Sequence, residues 1–232
     1  RLINYLEKWI KNKINTILKS LVDLKNLKEK NSSIKALAYQ LYENNGVLKR
    51  EQVSEYLKKL GQNERKTLRA LGVKFGRYHV FLYRLIKPEA VSLRTLLWKN
   101  YHQKYFNLKP PTFGLNFLDN YKLKDKNFML LCGFEKFDNY FVRIDILERL
   151  FMQIINSNSD KEEEIKMIPE MLNLLGCNKE NFKRLLKNMN YRIVEKDKET
   201  FFKYSPKKSF KKNIKKTSKE SPFNILKDLN LN

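Results

Sequence analysis

The sequence predicts a mainly α-helical protein with small β elements: a helical, bundle-like module, then a winged-helix-like α+β module, then a disordered basic tail. Apolar residues recur at intervals of three and four through much of 1–106, which is the spacing of amphipathic helices. Residues 169–204 follow a helix, turn, helix, hairpin order, which is typical of a winged helix. Residues 205–232 are rich in lysine and lack a sustained apolar period, which favours disorder.

The first module, 1–106, is expected to begin with four short-linked helices. The first covers 2–21, with apolar residues on one face and lysines on the other. The limits of the next three are marked by residues that cap or end helices. These residues are Ser32 or Ser33, Gly46, Gly61 and Asn63. Four helices joined in this way predict a bundle-like unit, and Pro88 is suited to the first position of a fifth helix.

The central run, 71–90, combines aromatic and basic residues between the fourth and fifth helices. Gly72 is suited to the left-handed position that ends a helix, and Gly76 requires either a positive φ or a close backbone approach. The alternation that follows predicts a short extended segment, buried on at least one face. Cations for phosphates and rings for bases suit a nucleic-acid surface, although a core strand with solvated cations fits equally well. The candidate binding residues are Lys74, Arg77, Tyr78, His79 and Arg84.

The pattern changes after residue 106. Residues 107–127 contain Pro110, Pro111 and Gly114 without a sustained period, so we expect a linker there. The second module, 128–204, should begin with a hairpin whose strands are 128–134 and 140–145, joined by a polar turn. Asp145 is then suited to cap a helix.

The end of the second module contains the candidate recognition helix, 181–189. Its apolar residues would face inward, and its cations would face outward toward a phosphate groove. Many winged helices serve only for packing or protein contact, and the charge of 107–204 is nearly balanced, so nucleic-acid contact here is one of two open interpretations. The outward cations are Lys179, Lys183, Arg184 and Lys187.

The tail, 205–232, combines paired lysines with a short apolar ending. The lysines are expected to add nucleic-acid affinity, while the ending has the spacing of a helix that docks in a groove of a partner protein. A frayed terminus with chance apolar residues is the alternative. The candidate tail residues for nucleic acid are Lys207, Lys208, Lys211 and Lys212, and those for docking are Phe223, Ile225, Leu226 and Leu229.

Charge and composition restrict the class of function. The formal net charge is +23, and the excess is concentrated in 1–106, where 23 Lys and Arg face 8 Asp and Glu. Nucleic acid is therefore the expected partner. The sequence contains no membrane-spanning apolar run and no metal-ligand spacing among its 2 His and 2 Cys, so neither membrane nor metal is expected. Isolated cysteines suit the cytoplasm. No catalytic motif or cofactor site is visible.

Several segments resemble the C-terminal region of alphaproteobacterial helicase-related proteins. They are AYQLYENNGVL at 38–48, the central run, LLW at 96–98, CGF at 132–134, VRIDILERL at 142–150 and PEMLNLLGC at 169–177. In that family a two-lobed superfamily 2 motor, similar to the mitochondrial degradosome RNA helicase, precedes this region. The resemblance implies that the parent protein uses ATP and magnesium, although this chain contains no motor motif.

The expected function is therefore that of a nucleic-acid-binding accessory region of an ATP-dependent helicase, with RNA favoured over DNA. The chain begins at Arg1 within an amphipathic pattern, and we expect it to be part of a longer protein. Its partners would be nucleic acid, the motor domains of the same polypeptide and a protein bound by the tail. Two other classes stay open: a stand-alone winged-helix DNA-binding regulator, and a protein-interaction domain that binds no nucleic acid.

Overall fold

A computed structural model describes residues 1–28, 31–102, 107–119, 125–157, 164–197 and 199–205. In these ranges the protein is mixed α/β, with helices surrounding three small antiparallel sheets of three strands each. None of the described helices is long and apolar enough to span a lipid bilayer. The tail beyond residue 205, with its candidate lysines and docking residues, lies outside the described ranges.

Two helices, α1 (Leu2–Ile17) and α2 (Lys19–Lys25), precede the first sheet unit, which we define as residues 31–102. The helices of this unit are α3 (Ser32–Glu43), α4 (Ser54–Lys59), α5 (Gln62–Ala70) and α6 (Pro88–Tyr101). Its strands are β1 (Val47–Lys49), β2 (Val73–Phe75) and β3 (His79–Leu82). Pro88 occupies the start of α6 as predicted.

The second sheet unit, residues 107–157, contains strands β4 (Phe117–Asp119), β5 (Phe134–Lys136) and β6 (Tyr140–Arg143) and helices α7 (Lys126–Leu131) and α8 (Ile144–Ser157). The third sheet unit, residues 164–205, contains strands β7 (Ile165–Lys166), β8 (Tyr191–Lys196) and β9 (Glu199–Tyr204) and helices α9 (Pro169–Leu175) and α10 (Lys179–Asn188). In each unit, helical segments connect the first strand to a hairpin formed by the other two.

The three sheets share one topology. Their strand orders are β1-β3-β2, β4-β6-β5 and β7-β9-β8, so the last strand of each unit always lies in the centre. The residue before each hairpin has a positive φ: Gly72 at 93°, Gly133 at 86° and Asn190 at 63°. This conformation is easiest for glycine and next easiest for asparagine, and it turns the chain from the preceding helix into the hairpin.

The structure corrects several expectations about the elements. The first helix ends at Ile17 rather than at residue 21, and the N-caps of α3 and α5 are Asn31 and Gly61 rather than Ser32 or Ser33 and Asn63. The first module is not a bundle of helices alone, because β1 follows α3 and pairs with β3. Residues 126–131 are helical, with the Asp125 side chain capping the Phe128 N–H at 2.8 Å, whereas a strand was expected at 128–134. Part of the expected linker forms β4, which pairs with β6. An apolar run this short does not distinguish strand from helix by period, and strands of three residues are too short to show one.

One hydrophobic cluster lies within the first unit and the two helices that precede it, and the others join different units. One cluster joins α8 of the second unit to α9, α10 and both hairpin strands of the third. Val91 of α6 packs among apolar residues of the second unit. The buried Arg94 of α6 donates hydrogen bonds to the backbone carbonyls of Asn45 at 2.6 Å, Leu85 at 2.6 Å and Leu131 at 2.8 Å. A single guanidinium therefore ties the ends of three segments together.

Candidate nucleic-acid interface

The central run forms the hairpin of β2 and β3, as the alternation predicted. Lys74 and Arg77 are exposed on it, and Arg84 is exposed in the 3₁₀ turn that follows β3. No carboxylate among the described residues lies within 4.0 Å of the cationic nitrogens of these three side chains. Their charge is therefore available to a ligand.

Tyr83 is an aromatic residue of this surface that was not among the predicted binding residues. The strand ends at Leu82, and the 3₁₀ turn rotates Tyr83 outward, leaving it 42% exposed. The Nζ atoms of Lys74 and Lys87 lie 5.9 Å and 5.4 Å from its ring centroid. The result is an exposed ring flanked by two cations, a combination that suits a base and its phosphates.

Two of the predicted binding residues face the interior instead. Tyr78 packs edge-on against Phe151, with ring centroids 5.0 Å apart, and burial raises its pKa well above the usual value. His79 is only 3% exposed, and both of its ring nitrogens are taken by carboxylates. Neither ring is free to stack on a base, so we remove both residues from the candidate interface. Alternation alone does not reveal which face of a strand is covered.

His79 lies between two buried glutamates. Its Nδ1 is 3.0 Å from Oε1 of Glu148, and its Nε2 is 3.1 Å from Oε2 of Glu135. Burial by itself would lower the pKa of His79, but the hydrogen bonds and charges of the two carboxylates outweigh it, and the pKa is raised. Lys49 also belongs to this cluster, because its Nζ lies 2.8 Å from Oε1 of Glu135.

Glu148 also binds the turn of the central hairpin. Its carboxylate accepts the backbone N–H of Tyr78 at 2.9 Å, that of His79 at 2.7 Å and that of Arg77. Gly76 is needed here because a Cβ at this position would collide with the same carboxylate. A helix of the second unit thus fixes the hairpin of the first unit, and with it the positions of Lys74 and Arg77.

The predicted recognition helix corresponds to α10, and its inward set is confirmed: Phe182, Leu185, Leu186 and Met189 are buried. Its cations divide into two groups. Lys179 and Lys187 are exposed, whereas the other two cations contact groups of the protein itself.

The two engaged cations of α10 are Lys183 and Arg184. Lys183 pairs with Glu195. Arg184 contacts Asp119 of β4 and Asn139 of the second unit's hairpin turn, and its guanidinium lies 5.0 Å from the ring centroid of Tyr140. Arg184 therefore helps hold the third unit on the second, and we leave both residues out of the candidate interface.

A metal or thiol-based site finds no support in the described residues. They contain no group of three or more His, Cys, Asp or Glu side chains that could hold a metal ion, because the ring nitrogens of His79 point in opposite directions toward separate carboxylates. Cys132 and Cys177 are free thiols whose pKa burial raises to about 12, so they are poor nucleophiles at neutral pH.

Comparison of the chain with family models, with curated proteins and with solved structures finds no match.

Proposed function

We propose that this chain is a nucleic-acid-binding accessory region of an ATP-dependent superfamily 2 helicase, and that it grips the phosphate backbone without reading sequence. The observation that carries the proposal is the exposed cluster of Lys74, Tyr83, Arg84 and Lys87, in which no cation has a carboxylate partner among the described residues. Such a cluster attracts phosphate through charge and any base through the ring face. The resemblance to helicase-related proteins supports the assignment of the parent protein.

We also propose that the three sheet units are winged-helix-like modules. The support is that each unit places its helices between the first strand and a hairpin, with the last strand in the centre of the sheet. In the first unit the hairpin presents Lys74 and Arg77, so a wing, rather than a recognition helix, would contact the nucleic acid.

Two of the four cations of α10 contact the protein itself, and this argues against a stand-alone DNA-binding regulator. Sequence readout requires a helix whose polar side chains are free to enter the major groove. Lys183 and Arg184 are engaged with the protein itself, and Arg184 contacts the second unit, whose hairpin therefore lies beside this face of the helix. Sequence-tolerant contact with phosphates is the function that this arrangement favours.

The exposed apolar face of α1 favours protein contact as a second role. Six large side chains of this helix are exposed, among them Trp9 at 53%. We propose that this face packs against the motor domains that the resemblance implies. The set comprises Leu2, Ile3, Tyr5, Leu6, Trp9 and Ile10.

The salt dependence of binding tests the main proposal. Single-stranded RNA that engages about five phosphates should give a slope of about −3.5 for log K against log salt. Replacing Lys74, Arg84 and Lys87 together by Ala should make that slope shallower by about 2. The matched control replaces the exposed Lys58, Lys59 and Lys126, which do not contact Tyr83.

Affinity that does not change between low and physiological salt would exclude the proposal. Equal losses in the test and control variants would show that binding follows net charge alone, and a strong preference for one duplex sequence would favour the DNA-binding regulator. If wild-type protein binds no oligonucleotide at physiological salt, the protein-interaction role of α1 is left as the function.

A further inference from the structure

A cleft of about 270 Å³ opens beside Tyr83, between the first and second units. Its lining comes from the 3₁₀ turn after β3 and the start of α6, from the 111–115 loop, and from residues at the end of β6 and in α8. Three residues at its base, Val91, Cys132 and Phe134, are buried and apolar. The charged residues of its lining are Lys87, Arg143, Asp145 and Arg149, and its exposed aromatic residues are Tyr83 and Phe113.

Two of the aromatic rings that line the cleft, those of Tyr83 and Phe113, are exposed rather than packed. Tyr83 is 42% exposed and Phe113 is 49% exposed, although both are large enough to be expected in a core. Exposed aromatic rings over an apolar floor favour a flat, unsaturated ligand, because such a ligand gains from stacking and from leaving water.

The charges of the cleft favour an anionic group on that ligand. Asp145 accepts two hydrogen bonds from Arg143, from Nε at 2.7 Å and from Nη2 at 2.9 Å, so these two charges largely compensate each other. Lys87 and Arg149 are exposed, and neither has a carboxylate partner within the described part of the chain. The uncompensated charge of the lining is therefore positive.

The volume limits the size of the ligand. Sites for small organic ligands occupy about 300 to 1,000 Å³. At about 270 Å³ this cleft lies just below that range, so it suits a single base. A paired base within a duplex is stacked on its neighbours and is not available to enter such a cleft. An unpaired strand can place one base there and extend its backbone along the cations outside.

We infer that this cleft captures one unpaired base of a single-stranded nucleic acid, stacked on Tyr83 with Lys87 and Arg149 on the flanking phosphates. The inference rests on the proposed function and deepens it, because it states which form of nucleic acid is held and where. The exposed cations Lys74 and Arg84 would then continue the path of the backbone on the first unit.

The test uses the full chain and a short single-stranded oligonucleotide that contains one 2-aminopurine, whose fluorescence falls when the base stacks. Wild-type protein should quench this fluorescence. Tyr83→Ala should remove the quenching and weaken binding by about 5- to 150-fold, the range expected for loss of one stacked base, whereas Tyr83→Phe should retain both. Tyr39→Ala is the matched control, because Tyr39 is an exposed tyrosine on α3, outside the cleft lining.

The salt dependence of binding gives a second measurement on the cleft. Replacing Lys87 and Arg149 together by Ala should make the salt slope shallower by about 1.4, as expected for two lost phosphate contacts. A matching duplex oligonucleotide should bind more weakly than the single strand and should bind equally to wild type and Tyr83→Ala.

The outcomes separate this inference from the proposed function. If Tyr83→Ala binds and quenches like wild type while the Lys74, Arg84 and Lys87 variant still loses affinity, the cleft is not a base site but the chain still binds nucleic acid. If wild-type protein binds no oligonucleotide, both proposals fail together. If an acidic, aromatic peptide binds in a Tyr83-dependent manner and the oligonucleotide does not, the cleft is a protein-contact site and the inference is overturned.

Discussion

The substitution Glu148→Gln tests the idea that one buried carboxylate fixes the central hairpin. In the wild type, Glu148 is buried and accepts three backbone N–H groups as well as His79 Nδ1. Glutamine has nearly the same size, so no cavity is created. Glutamine has one acceptor oxygen and an NH₂ group that cannot accept. The amide therefore cannot accept all the N–H donors that the two carboxylate oxygens accept in the wild type.

The expected loss of stability follows from the loss of charge. Removing one partner of a buried charged pair costs about 3 to 5 kcal/mol, because the remaining charge is left uncompensated. His79 keeps Glu135 at 3.1 Å, so we expect the lower part of that range, about 3 kcal/mol. Urea unfolding at neutral pH, followed by circular dichroism, gives the free energy of unfolding directly.

The matched control is Glu55→Gln, an exposed glutamate on α4. It makes the same chemical change and should alter the free energy of unfolding by less than about 0.5 kcal/mol. A loss below about 1 kcal/mol for Glu148→Gln would show that the hairpin is held by apolar packing alone. In that case the buried cluster has no part in positioning Lys74 and Arg77.

Three further predictions concern the same interior groups. Because the pKa of His79 is raised, the stability that its charge supplies should be complete below about pH 6.5 and should be lost as the pH rises through the pKa of the folded state. The difference in unfolding free energy between wild type and His79→Gln, measured at several pH values, should therefore shrink as the pH rises. A difference that grows with pH would contradict the raised pKa. Gly76→Ala should cost at least about 2 kcal/mol in urea unfolding, because its Cβ meets the carboxylate of Glu148, whereas Gly61→Ala, which meets only a flexible side chain, is the control in the same measurement. Arg94→Met should cost about 3 to 5 kcal/mol in urea unfolding, because three carbonyl groups lose a charged donor; a loss under about 1 kcal/mol would mean that water replaces the guanidinium.

Local features of the sequence predicted several details that the structure confirms. Gly72 has the positive φ of a helix-ending glycine, and Pro88 begins α6. The inward face of α10 is as the apolar period indicated. These features depend on residues within one or two turns of each other, so a short stretch of sequence contains the information that determines them.

Other features depend on contacts between distant parts of the chain. The sequence indicates that Gly76 needs either a positive φ or a close backbone approach. The fold shows that the reason is a close approach, because the Glu148 carboxylate lies against Gly76 and belongs to a helix 72 residues further along the chain. The sequence separations between His79 and its partners are 56 residues to Glu135 and 69 to Glu148. No periodicity in the sequence connects such positions.

The sequence by itself determined the basic charge of the chain, the inward face of α10 and the positions of Gly72 and Pro88 at helix ends, because each depends on composition or on neighbours within a few positions. Tertiary structure alone decided three matters: that β1 and β4 exist, that His79 is buried while Tyr83 is exposed, and that Lys87 and Arg149 share a cleft. The physical reason is that a three-residue strand is stabilised by its partner rather than by its own period. Likewise, the face of a strand that is covered depends on which distant helix packs against it.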